Sequence, residues 1–184
     1  MKVSTALTLI SLILLPFQAM AHFGMVIPSD TMVMPTDDRS VSVDFSFSHP
    51  FEGHGMNLEK PASVQIFRDG QATDATGRLA PATIMGHPSW RMQVPVKRPG
   101  VFAIVMEPRP YWEPTEDVYI IHYTKTVVAA FGEDDGWDAE LGLKTEIVPL
   151  SKPYGLYAGN LFQGQVKMDG KPVPFAEVEV EYYN

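Results

Sequence analysis

Val41-Ser42-Val43-Asp44-Phe45-Ser46-Phe47-Ser48 alternates apolar and polar residues without a break. A period of two puts every second side chain on one face, so this stretch is predicted to be a half-buried strand. Val41, Val43, Phe45 and Phe47 then face a core, and the serines and Asp44 face out. Working outward, Val64-Gln65-Ile66-Phe67 repeats the pattern and ends in the turn signal Asp69-Gly70. Met92 to Val96 is a further run, with Pro95 marking an edge or a bulge. Arg98-Pro99-Gly100 turns the chain into Val101 to Met106, and the longest β-type run is Val118 to Phe131. Val166 to Met168, the turn Asp169 to Pro172 and then Ala176 to Tyr183 predict a hairpin. Helical periodicity is weak, save for a short helical turn expected within Gly136 to Gly142. The expected fold is all-β: a β-sandwich of the Ig-like or a related kind.

Residues 1–21 read as a secretory signal peptide. Lys2 gives the positive start, Val3 to Phe17 the apolar stretch and Ala19-Met20-Ala21 the cleavage site. The protein is therefore expected in the periplasm, with His22 as its first residue. Residues 22–150 are expected to form the β-sandwich and 151–160 (SKPYGLYAGN) a connector. Residues 161–184 are expected to form a β-hairpin that opens a small Ig-like or transthyretin-like module. Two strands cannot bury a core alone, so the hairpin either packs on the main domain or belongs to a module cut short at Asn184.

The chain has no cysteine, which removes disulfides, thiol catalysis and thiolate metal sites. Its net charge is −8 and it has no basic block, so nucleic acid is not an expected partner. Neither a G-x-S-x-G nucleophile motif nor a phosphate loop is present. Paired acids such as Asp134-Asp135 adjoin glycine and read as solvated turns.

Histidine carries the chemistry that remains. Cleavage after Ala21 would give His22 a free α-amine beside its own imidazole. Both groups lose protons near neutral pH, with ordinary pKa values of ~7.7–8.0 and ~6.5. Together they can chelate one ion, and a second imidazole would complete a three-nitrogen histidine brace. Nitrogen donors select Ni(II), Co(II), Cu(II) and Zn(II) over Mg(II) and Ca(II). His49 and His54 bracket the turn Pro50-Phe51-Glu52-Gly53, where glycine allows two rings to converge; Glu52 and Met56 are secondary candidates. His49 also continues the parity of Phe45 and Phe47, which points it inward at a sheet end. His122 lies in an apolar strand context and His87 in an expected loop; both are candidate ligands with bland alternatives. Met25, Met32 and Met34 read as core filler before thioether ligands, and Tyr111-Trp112 as a cap on the core.

Several strings together carry a family resemblance. They are HFGMVIPS (22–29), HPFEGHGMNLEKP (49–61), YWEP (111–114), IIHYTK (120–125), LKTEIVPL and KPYGLYAGNLFQG. The chain resembles the periplasmic component of nickel/cobalt transport systems of the energy-coupling-factor type, a conserved family of unknown domain function. The resemblance implies a non-enzymatic periplasmic protein that binds Ni(II) or Co(II), with Cu(II) also accommodated. Its implied partners are the membrane-embedded components of a metal-uptake transporter, with no polymer substrate. Carried onto this chain, the candidate ligands are His22, His49, His54 and His122, with His87 as a further one. Two alternatives stand beside this reading. One is a histidine-brace copper oxidoreductase acting on polysaccharide; the other is a structural Ig-like module without metal.

Overall fold

The computed structural model describes residues 22–114, 116–181 and 183. The signal-peptide reading of residues 1–21 lies outside the described residues. Among the described residues all regular structure is β, apart from one 3-10 turn at Thr76–Arg78.

One sheet is built on β3 (Ser40–His49). Its partner on one edge is β1 (Phe23–Pro28), antiparallel. Its other edge is shared between β4 (His54–Met56) and β8 (His87–Pro95), and β7 (Ala80–Ile84) continues beyond β8. The facing sheet runs β2 (Met32–Val33), β12 (Thr124–Ala130), β9 (Gly100–Glu107), β5 (Ser63–Arg68) and β6 (Gln71–Asp74). Val41, Val43, Phe45 and Phe47 of β3 and Met92 and Val94 of β8 meet Val64, Ile104, Met106 and Val128 from the other sheet. The structure is the expected sandwich, and its core is the inward parity of the β3 stretch. On the outer face Asp44 pairs across strands with Arg91, whose Nη2 donates to Asp44 Oδ2 at 2.8 Å.

Three local expectations differ. Ser46 and Ser48 are buried, not solvated. Met25 lies opposite Ser46 in register, and the Ser48 hydroxyl donates to Met25 Sδ at 3.6 Å. The run from Val118 to Phe131 is two strands, not one. β10 (Tyr111–Glu113) and β11 (Val118–Ile120) form a separate hairpin, and the chain joins β12 only at Thr124. The break at 121–123 is fixed by the Thr124 hydroxyl, which donates to the carbonyls of Gly24 (2.7 Å) and His122 (3.1 Å). Last, Ala176 to Tyr183 forms no strand among its described residues. β14 (Gly164–Met168) pairs instead with β13 (Thr145–Pro149) and with the short β15 (Lys171–Pro172). Pro172 and Pro174 remove ladder donors, and Phe175 takes a left-handed φ of 59°, so the return strand stops early.

β13 is joined to the sandwich by Glu146. This buried carboxylate accepts from Lys125 Nζ on β12 at 2.5 Å and from the backbone N–H groups of Leu141 (2.9 Å) and Gly142 (3.1 Å). Burial opposes its ionisation, but the Lys125 hydrogen bond and the backbone donors outweigh that and hold its pKa below the ordinary range.

Candidate functional site

One end of the first sheet collects histidines by register alone. Phe23 sits opposite Ser48, so His22, one residue ahead of β1, comes beside His49 at the end of β3. His49 in turn stands directly opposite His54, the first residue of β4. The ring centres of His22 and His49 are 4.3 Å apart.

His49 keeps the inward parity of Phe45 and Phe47 and is 2% exposed. Its Nε2 is buried without a hydrogen-bond partner among the described residues. Phe47 floors the site, with ring centres 5.6 Å from His22, 5.3 Å from His122 and 4.9 Å from Tyr111. The β10–β11 hairpin closes one side. Tyr111 and Glu113 share a face by the strand period, and Tyr111 lies 5.4 Å from His22, centre to centre. Glu113 is buried, with Oε2 3.3 Å from His22 Nδ1.

Burial lowers the pKa of His22, and the neighbouring charge of His49 lowers it further; Glu113 works against both and does not prevail. The His22 ring beside Glu113 is therefore neutral at neutral pH. The ring nitrogen beside Glu113 is Nδ1, the one that can close a chelate ring with the α-amine of the same residue. Burial likewise lowers His122, reinforced by His22, while a hydrogen bond to the His22 backbone opposes the shift. His122 lies in the break before β12, not within a strand. The absence of a side chain at Gly24 seats it, since a Cβ there would stand 3.0 Å from His122 Cβ.

Of the five predicted histidines, His22 lies against His49, and His22 and His122 both lie against Phe47. His54 is exposed, yet near enough for its charge to lower the His22 pKa. His87 opens β8 instead of lying in a loop, and its ring centre is 6.3 Å from that of His54. Glu52 is exposed on the intervening turn, and its charge also reaches His22. Met56 packs against the core and Met25 is buried in the sheet, as filler. Met32 and Met34 line a different pocket with Gly132 and Tyr154. Glu113 and Phe47 were not singled out by sequence reasoning as site residues. The usable signal was the period-two parity that puts Glu113 on the same face as Tyr111.

Among the described residues, no three His, Asp or Glu side chains are grouped tightly enough as they lie to hold one ion. The donors present are imidazole nitrogens with one carboxylate beside them. That set, with an orphaned buried Nε2 at its centre, suits a borderline transition metal and not Mg(II) or Ca(II). A cleft of 460 Å³ opens beside the site, lined by Phe47, Tyr111, Trp112, Tyr119 and His122 among others. Trp112 and Tyr119 pair at its rim, 4.9 Å between centres, and both are exposed.

No relative among curated proteins matches the chain. A family described as a domain of unknown function (DUF4198) matches residues 19–184, and the chain belongs to that family.

Proposed function

We propose that this protein is a periplasmic carrier that binds one Ni(II) or Co(II) ion as cargo and delivers it to a membrane-embedded uptake transporter. His22 and His49 supply two imidazole nitrogens. The third donor is the α-amine of His22, which exists once the chain is cut after Ala21. The amine and Nδ1 of His22 close one chelate ring, Glu113 places a carboxyl group beside it, and Phe47 and Tyr111 pack against the His22 ring.

The observation that carries this reading is His49 Nε2: a buried nitrogen with no hydrogen-bond partner among the described residues, beside a second imidazole with ring centres 4.3 Å apart. Two rings about one ion are held by metal–nitrogen bonds of ~2.0–2.1 Å, so their centres stand only a few ångströms apart. The strings that carry the transport-family resemblance also support it. Residues 22–29, 49–61, 111–114 and 120–125 supply every side chain of the site named above except Phe47. Nothing in the reading calls for catalysis.

Calorimetric titration with Ni(II) tests it. Protein beginning at His22 is expected to bind one ion tightly; protein with one extra residue before His22, and the His49→Ala variant, are expected to bind far more weakly. Equal affinity in all three defeats the proposal.

The exposed Trp112–Tyr119 pair beside the histidines favours a second reading, a copper oxidoreductase whose aromatic rim holds a polysaccharide. Oxygen- and reductant-dependent polymer cleavage by the copper-loaded protein would raise it above the first.

A further inference from the structure

His54 and His87 lie outside the His22–His49 pair but next to it. Their ring centres are 6.3 Å apart with planes at 57°. Two imidazoles that share one ion, each through a bond of ~2.0–2.1 Å, have ring centres up to ~6.5 Å apart. The pair is thus at the outer limit of a shared site without any backbone change.

Two features prepare His87 for this. Its Nδ1 stands 3.1 Å from the side-chain oxygen of Asn57. An amide oxygen only accepts, so Nδ1 carries the proton and Nε2 is left with its lone pair. Its ring is also held in place by Gly55, where a Cβ would come within 2.8 Å of His87 Cδ2. His54 is the exposed and adjustable member. The turn before it runs through Gly53, whose φ of 65° suits glycine and around which nothing lies within 4 Å of an added Cβ. His54 also stands directly across the β3–β4 pair from His49. It therefore adjoins both histidine pairs.

We propose that His54 and His87 form a second, outer site for the same divalent ion, from which the ion passes inward to His22 and His49. This rests on the carrier reading for its destination, though not for its existence. Each step is a ligand exchange: one imidazole nitrogen replaces a water or another imidazole on the ion. No electron moves, and the His22 α-ammonium gives its proton to solvent as the amine binds the ion. His54 holds the ion while His87 is exchanged for the inner donors.

The probe is Ni(II) alone, titrated by calorimetry and followed by stopped-flow absorbance, on protein beginning at His22. The unaltered protein is expected to bind two equivalents, one tight and one weak. His87→Ala is expected to lose the weak equivalent, keep the tight one and fill it more slowly. Asn57→Ala leaves both rings in place but frees the His87 tautomer. It is expected to weaken the outer site by ~10-fold or more, the usual cost of losing an orienting partner. His49→Ala is expected to lose the tight equivalent and keep the weak one. A single equivalent in the unaltered protein, or two equivalents filled at unaltered rates in His87→Ala and Asn57→Ala, overturns the outer site. If His49→Ala binds as the unaltered protein does while His87→Ala loses an equivalent, the inner reading fails and the outer site stands.

Discussion

His49→Leu should make the metal-free protein more stable and the metal-loaded protein less so. In the metal-free chain, a buried acceptor or donor without a partner costs about 1–3 kcal/mol. His49 Nε2 is such an atom, in a side chain 2% exposed. Leucine is close to histidine in volume, so the swap adds little strain to the contact with His22. Some repacking loss is expected, so a net gain of about 1 kcal/mol is a fair figure. For a chain of this length that raises Tm by roughly 2–4 °C. Metal acts in the opposite direction. At a free Ni(II) concentration about 100 times Kd, binding stabilises the native protein by about 2.7 kcal/mol, which lifts Tm by roughly 5–10 °C. The variant lacks that donor and should show little of this rise. Scanning calorimetry of both proteins, with Ni(II) and with a chelator, should show their order of melting reverse between the two conditions. A lower metal-free Tm in the variant would refute the claim that Nε2 is a stored cost. An equal Ni(II)-induced rise in both proteins would refute its role as a ligand.

Other outcomes follow from the same geometry. Glu146→Gln removes the charge that holds Lys125 and the Leu141–Leu143 backbone, and leaves a partly buried ammonium without its counter-charge; a loss of about 3 kcal/mol is expected in urea unfolding. Because the folded pKa of Glu146 lies below its unfolded value, its contribution is full above the unfolded pKa and fades as pH falls through the folded one. The acid limb of the stability–pH curve should therefore flatten in Glu146→Gln. Gly24→Ala puts a Cβ 3.0 Å from His122 Cβ and 3.3 Å from Met106 Cε, and should cost about 1–3 kcal/mol and shift the His122 ring resonances. Gly55→Ala should cost at least as much, since its Cβ would meet Met85 Cβ and His87 Cδ2 at 2.8 Å and part β4 from the Met85-Gly86 turn.

The sandwich was legible because burial in a sheet imposes a local period. Val41, Val43, Phe45 and Phe47 announce their face without reference to any partner strand. The same parity correctly carried His49 inward. What parity cannot report is which strands lie side by side. That His22 reaches His49 depends on the Phe23–Ser48 register, set by pairing across a long stretch of chain. Composition showed Ser46 and Ser48 as polar, but their surroundings are decided by Met25 on the neighbouring strand. The break before β12 was hidden because Ile120, Ile121 and Tyr123 all favour strands. It is a tertiary contact, Thr124 with Gly24, that ends the pairing there. Glu113 passed unnoticed as a site residue because a lone acid beside a proline reads as a surface turn until its strand is placed.

The central claim is that His22 and His49 bind one transition-metal ion. X-ray absorption at the nickel edge, on protein beginning at His22 and loaded with a single equivalent of Ni(II), addresses it most directly. The account predicts a nitrogen-dominated first shell with the multiple-scattering pattern of two imidazoles, kept in His87→Ala and reduced when His49→Ala is added to that variant. An oxygen-only shell, or a spectrum that His49→Ala leaves unchanged in the His87→Ala background, would contradict it.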